Sequence, residues 1–189
     1  MNIAILSASV RVGRQTHQVA KAVAEQLMLR PNIDPTLIDL AAHEIPPLEY
    51  VLKKHPTPPA DIVKIGAILD SADAMIFASP EYNGGYSSAL KNTLDYFPKS
   101  TYQKKPVGVV TVSAGALGGM RAALQIQQLI LALKAYPMPQ MLTTGNVKQK
   151  FDDNQKLIDQ SFEQKIDLFA DELIWLTEAL MAKKLQLTS

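Results

Sequence analysis

The chain has 189 residues, 47% of them hydrophobic and 20% charged, with a formal net charge of +1. That length suits one packed domain, 1–189, and the near balance of charge argues against nucleic acid as a partner, which needs concentrated basic surface. Cysteine is absent, which rules out disulfides, thiolate catalysis and cysteine-held metals or clusters.

Asn2 to Ala8 reads as a first strand, and Val19, Val23 and Leu27 mark the apolar face of a first helix that ends near Pro31. The chain opens directly into the run Ile3, Ala4, Ile5, Leu6, without the basic region and cleavage site of a leader. No apolar stretch is long enough to span a bilayer, so the expectation is a cytoplasmic protein without a membrane partner. Thr36 to Leu40 is a second strand. His43 to Pro59 follows with Pro46, Pro47, Pro56, Pro58 and Pro59, an irregular excursion that reads either as a linker or as a flap or subunit contact.

Asp61 to Asp70 is a second helix. Ala74 to Ala78 is a short apolar strand of the kind buried on both faces of a parallel sheet, with Ser79 and Pro80 expected to stop its ladder. Asn83, Gly84 and Gly85 permit positive φ, and helical spacing resumes with Leu90, Leu94 and Phe97. Val107 to Val112 is a fourth strand, Met120 to Ala135 a helix, and Met138 to Thr143 a fifth strand whose Pro139 suits an edge or a strand start. The closing helix steps by threes and fours through Ile158, Phe162, Ile166, Phe169, Leu173, Leu176 and Leu180. Strands alternating with helices predict an α/β, flavodoxin-like three-layer sandwich around a five-stranded parallel sheet of order 2-1-3-4-5.

In that order the loops after the first, third and fourth strands meet at one sheet edge, where ligands of open α/β folds bind. Ser7 to His17 joins hydroxyls and two arginines to a helix N-terminus, which suits a phosphate; the alternative is that Ser9 or Thr16 caps the helix. Neither GxGxxG nor GxxxxGK[ST] is present, which argues against a standard dinucleotide or Walker site. The loop Pro80 to Tyr86 can wall a flat ligand or be an ordinary turn. Ser113 to Gly119 again lets a ligand come close. Thr111 to Gly115 approximates a GxSxG elbow, but His17, His43 and His55 all precede Ser113, so the triad order fails. Those histidines also lack metal-site spacing, and no metal is expected.

Leu124, Ile126, Leu129, Ile130, Leu131 and Leu133 spread around more of their helix than one sheet face uses. A homodimer or homotetramer is the expected cover, with burial under the proline-rich excursion as the alternative.

With the segment PEYNGGYSSALKNTLDYF and the two flanking loops in order, the chain resembles the NADPH-dependent FMN reductase family, flavodoxin-like enzymes that include quinone, azo-dye and chromate reductases. The resemblance covers nearly the whole length and implies FMN as cofactor, NADPH or NADH as co-substrate and a small-molecule electron acceptor. It places Ser9, Arg11, Thr16, His17 and Gln18 around the FMN phosphate. Pro80, Glu81, Tyr82, Asn83 and Gly84 lie along the ring in that scheme, and Ser113 and Gly115 at its other end. Ala8, His17 and Ala116 depart from the family's usual residues. The implied activity passes hydride from NAD(P)H through FMN to a quinone or similar acceptor, with no catalytic side chain. A flavodoxin-like electron carrier or flavin-binding module is the alternative.

Overall fold

The computed structural model describes the backbone of residues 1–188 and the side chains of residues 1–183. Five parallel strands form one sheet of order β2-β1-β3-β4-β5: β1 Asn2–Ser7, β2 Asp34–Asp39, β3 Ala74–Pro80, β4 Pro106–Val112 and β5 Tyr136–Thr144. The order is the one expected. The helices are α1 Thr16–Met28, α2 Ala60–Ser71, α3 Ser88–Asp95, α4 Met120–Ala132 and α5 Gln160–Thr188.

Every residue of β3 and β4 is buried, as befits central strands with helices on both sides. Successive side chains therefore feed two cores. Met75 and Phe77 of β3 pack on one side with Ile62, Ile65, Leu94 and Ile126, while Ala74, Ile76 and Ala78 pack on the other with Val19, Val23, Phe169 and Leu173. Burying a side chain such as Phe77 contributes roughly 2–3 kcal/mol. Gly108 lets α5 sit close: a Cβ there would lie 2.6 Å from Cζ of Phe169. No helix among the described residues is long and apolar enough to cross a membrane.

Several boundaries differ from the expectation for identifiable reasons. Pro80 does not stop β3 but pairs with Val112. The N–H that proline lacks falls on the β1 side, where Ala78 O already accepts from Ala8 N and the pairing has ended. β5 runs through both Pro137 and Pro139. It is an edge strand and absorbs Pro139 in an irregularity, its partner stepping from Pro137 to Met141 while β4 advances from Val107 to Val109. The closing helix excludes Ile158, which is exposed, because the Asp159 carboxylate accepts from Phe162 N as a cap and the helix starts at Gln160.

The proline-rich stretch is fastened to α3. Asn92 accepts from Leu48 N and donates to Pro46 O, and the Tyr96 hydroxyl also donates to Pro46 O. Leu52 packs into the core beside Gly66 and Phe97. These contacts leave the outer face of α4 uncovered: Met120, Leu124 and Leu131 are exposed, as is Leu117 in the loop before it.

Candidate active site

A cleft of about 270 Å³ opens at the carboxyl ends of β1, β3 and β4, lined by the first loop (Ser9 and 11–16), Pro80, Glu81, Tyr82, Val112, Ser113, Ala114, Val147 and Lys148. The sheet order alone brings these loops together.

The first loop is held from below by a charge network. Ser7 and Asp39 are register partners at the ends of β1 and β2. Arg14 reaches the Asp39 carboxylate with both terminal nitrogens, at 2.7 and 2.5 Å, and also donates to Ser9 O at 3.0 Å. That fork fixes the loop's shape and neutralises Arg14, which is thereby spent as an anion ligand. His17 turns the same way, its Nδ1 lying 3.1 Å from Ser7 Oγ and 3.8 Å from Asp39. Burial holds its imidazole below the ordinary histidine value; the Asp39 carboxylate pulls upward, and Arg14 and Lys21 add to the lowering.

The start of α1 is open. Its N-cap is Gln15, no side chain caps it, and its first turn carries no acid. The capping reading of Ser9 and Thr16 therefore fails. Ser9 shares a 3.0 Å hydrogen bond with the Tyr82 hydroxyl, and the Arg11 guanidinium lies 5.4 Å from the Tyr82 ring centroid. Tyr82 thus bridges from the second loop to the first.

The second loop is braced rather than slack. Tyr82 N donates to Gly85 O and Gly85 N to Tyr82 O, closing a tight turn in which Asn83 and Gly84 both have positive φ. Ser79 Oγ accepts from Ser87 N, and Ser87 Oγ donates to Ala8 O, so the turn's root is locked to the first loop through buried hydroxyls. Glu81 does something its position in the motif did not announce: its carboxylate accepts from Ala122 N at 3.2 Å and so caps α4, whose N-cap Gly119 has no side chain. Gln125 of α4 donates to Gly84 O at 2.9 Å, bracing the same turn.

The third loop interlocks with a fourth that pattern reading missed. A Cβ on Gly145 would lie 2.4 Å from Ala116 O, and one on Gly118 would lie 2.8 Å from Gly145 N. The two backbones are in contact, and the short turn 147–149 after β5 carries Val147 and Lys148 into the cleft wall. The signal available in the sequence was only Gly145 and Asn146 behind a strand.

Of the residues expected to bind a cofactor, Ser9, Arg11, Thr16, Pro80, Glu81, Tyr82 and Ser113 line this cleft. His17 lies beneath it, in the network just described. Gln18 belongs to a separate, polar depression with Lys21, Glu25 and Lys156. Asn83 and Gly84 form the tip of the second loop, and Gly115 the exposed turn of the third, where its carbonyl accepts from Ser113 Oγ.

The donor set fits a phosphate-bearing planar cofactor. An uncapped helix start with Arg11 and the Ser9 and Thr16 hydroxyls suits the anion, and between the braced loops Pro80, Tyr82 and Ala114 offer flat, largely apolar surface to a ring.

Comparison with known proteins agrees with that chemistry. The chain is 28% identical over 178 residues to the FMN-dependent NADPH-azoreductase of Staphylococcus haemolyticus, covering 90% of this chain and 92% of that one. It is 28% identical over 142 residues to the NADPH azoreductase of a Bacillus species, covering 75% of each. Among solved structures, the flavoenzyme NAD(P)H:(acceptor) oxidoreductase FerB of Paracoccus denitrificans shares the fold at a TM-score of 0.72 with 18% identity, over 91% of this chain and 96% of that one. An oxidoreductase from Corynebacterium diphtheriae superposes at 0.73 with 18% identity, over 94% and 97%. Residues 1–149 match the NADPH-dependent FMN reductase family, and the chain belongs to that family, with FMN as its cofactor and NADPH as its co-substrate.

Proposed function

We propose that this chain is a flavoenzyme that takes electrons from NADPH and passes them to a small oxidised acceptor, a quinone or an azo compound. The observation that carries the reading is the convergence, in one cleft, of an uncapped helix start beside Arg11 with the braced loops after β3 and β4. Bound FMN supplies the hydride-accepting and hydride-donating chemistry. Arg11, the first amides of α1 and the hydroxyls of Ser9 and Thr16 hold the phosphate. Pro80, Tyr82, Ser113 and Ala114 would flank the ring, with the turn at Asn83 and Gly84 and the Gly115 turn shaping the loops that carry them. His17 supports the phosphate loop from beneath, and Gln18 stands at the loop's outer edge. No side chain is assigned as an acid or covalent catalyst.

Azo compounds enter as acceptors because two relatives are named for them. NADH remains an alternative donor in this reading, since Arg14 is engaged by Asp39 and Arg121 sits exposed beside Gly84. The exposed apolar face of α4 supports a homodimer or homotetramer, and light scattering of Leu124→Glu/Leu131→Glu against wild type reads that state directly. NADPH is a cytoplasmic reductant, and the cytoplasm is the proposed site of action.

The deciding experiment is optical. Protein reconstituted with FMN should lose its yellow absorbance on anaerobic addition of NADPH and regain it with a benzoquinone or an azo dye. A chain that takes up no FMN ends the reading, and one that takes up FMN without NADPH turnover leaves an electron carrier or binding module in its place.

A further inference from the structure

Four side chains lining the cleft are charged at neutral pH: Arg11, Arg14, Glu81 and Lys148. Two of them are engaged within the protein, Arg14 by the Asp39 fork and Glu81 by the Ala122 N–H, with Arg121 3.9 Å away. Arg11 and Lys148 have no ion-pair partner among the described residues. They stand on loops at different places along the sheet edge. Arg11 follows β1 and Lys148 follows β5, three strands apart in the order β2-β1-β3-β4-β5, or roughly 14 Å at about 4.8 Å per strand.

The backbone carrying Lys148 is firmly placed. Gly145 touches Ala116, Asn146 N donates to Gly115 O at 3.4 Å, and Val147 is buried in the core. Two residues on, Lys150 is paired with Asp159 at 2.8 Å, anchoring the turn to the start of α5. Lys148 is thus a cation with no ion-pair partner among the described residues, on a braced turn that follows the far strand of the edge, β5, rather than β1.

We infer that Lys148 is the residue that makes this cleft prefer reduced over oxidised flavin. The inference rests on the FMN reading above. Hydride transfer brings two electrons and one proton, so the flavin gains one negative charge unless it binds a further proton. With its phosphate at Arg11, the cofactor would place its ring between the loops after β3 and β4, and Lys148, on the next loop along the sheet edge, would be a cation on the ring's side of the cleft. A cation carried there by the braced turn would stabilise the reduced form more than the neutral oxidised ring, and the difference would set the potential.

The test is an anaerobic redox titration of FMN-loaded wild type, Lys148→Gln and Lys148→Arg, beside fluorescence titration of each apoprotein with oxidised FMN. Lys148→Gln should weaken binding of reduced relative to oxidised FMN about tenfold, a midpoint about 30 mV lower for a two-electron couple. Its affinity for oxidised FMN should stay near wild type, and Lys148→Arg should restore the potential. An unchanged midpoint overturns the inference, as does an equal loss of affinity for both flavin forms. A rise in KM for NADPH but not NADH with the midpoint unmoved also overturns it, and assigns Lys148 to the donor's 2′-phosphate instead. Wild-type protein that binds no FMN overturns the proposed function itself.

Discussion

The starts of α1 and α4 make an instructive pair. Both helices have 13 residues, both follow a strand of the same sheet edge, and both present the positive end of a helix dipole there. At α4 the protein closes that end itself, with the Glu81 carboxylate on Ala122 N. At α1 no side chain closes it, and the neighbouring cation is Arg11. One start is closed by the protein's own carboxylate and the other is not; the difference lies in a single carboxylate supplied from the loop after β3, not in either helix.

The largest effect should come from removing the cation at the open start. Arg11→Ala should weaken FMN binding about 10- to 100-fold, the loss of charge-assisted hydrogen bonds at about 1.5–3 kcal/mol, with little change in Tm of the apoprotein. Flavin fluorescence quenching checks it, and unchanged affinity removes Arg11 from the site. Next is the closed start: Glu81→Ala should cost about 1 kcal/mol of stability through the lost cap, seen as a lower urea midpoint, while Glu81→Gln keeps part of the bond and loses less.

A sharper test gives the open start a carboxylate of its own. Gln15→Asp should stabilise the apoprotein by about 0.5–1 kcal/mol and weaken FMN binding at the same time, because the new cap competes with the phosphate. Both changes in the same direction would break the comparison. The smallest effect is the pH response of His17. Its folded-state value lies below the ordinary 6.5, so the unfolded chain binds the proton more readily. Stability is therefore complete above about pH 6.5 and falls as pH drops through the depressed value. In His17→Asn that part of the acid dependence should vanish from the denaturation profile.

Much of this organisation was legible beforehand. The buried runs at Ala74 and Val107, the helical spacing at Val19 and Ile62, and the glycines after two strands led to the sheet order, and the order put three loops at one edge. Pairings across long sequence separations were not legible. Arg14 reads as a free cation until Asp39, 25 residues on, proves to hold it, and Glu81 reads as a ring contact until Ala122, 41 residues on, proves to be its partner. Pro80 reads as a stop because a local rule about proline does not say which side of the strand its missing N–H faces. Lys148 sits in a stretch of ordinary polar residues, and only the contact of Gly145 with Ala116 brings its turn to the cleft.

What this sequence determined by itself was periodicity, and with it the succession of strands and helices and the edge at which a ligand would bind, because hydrophobic spacing is a local property of the chain. The tertiary structure decided which charges remain available there. Arg11, Arg14, Glu81 and Lys148 carry full charges in any sequence reading, and whether each is cancelled or left for a ligand depends on a partner that only the folded sheet brings within reach.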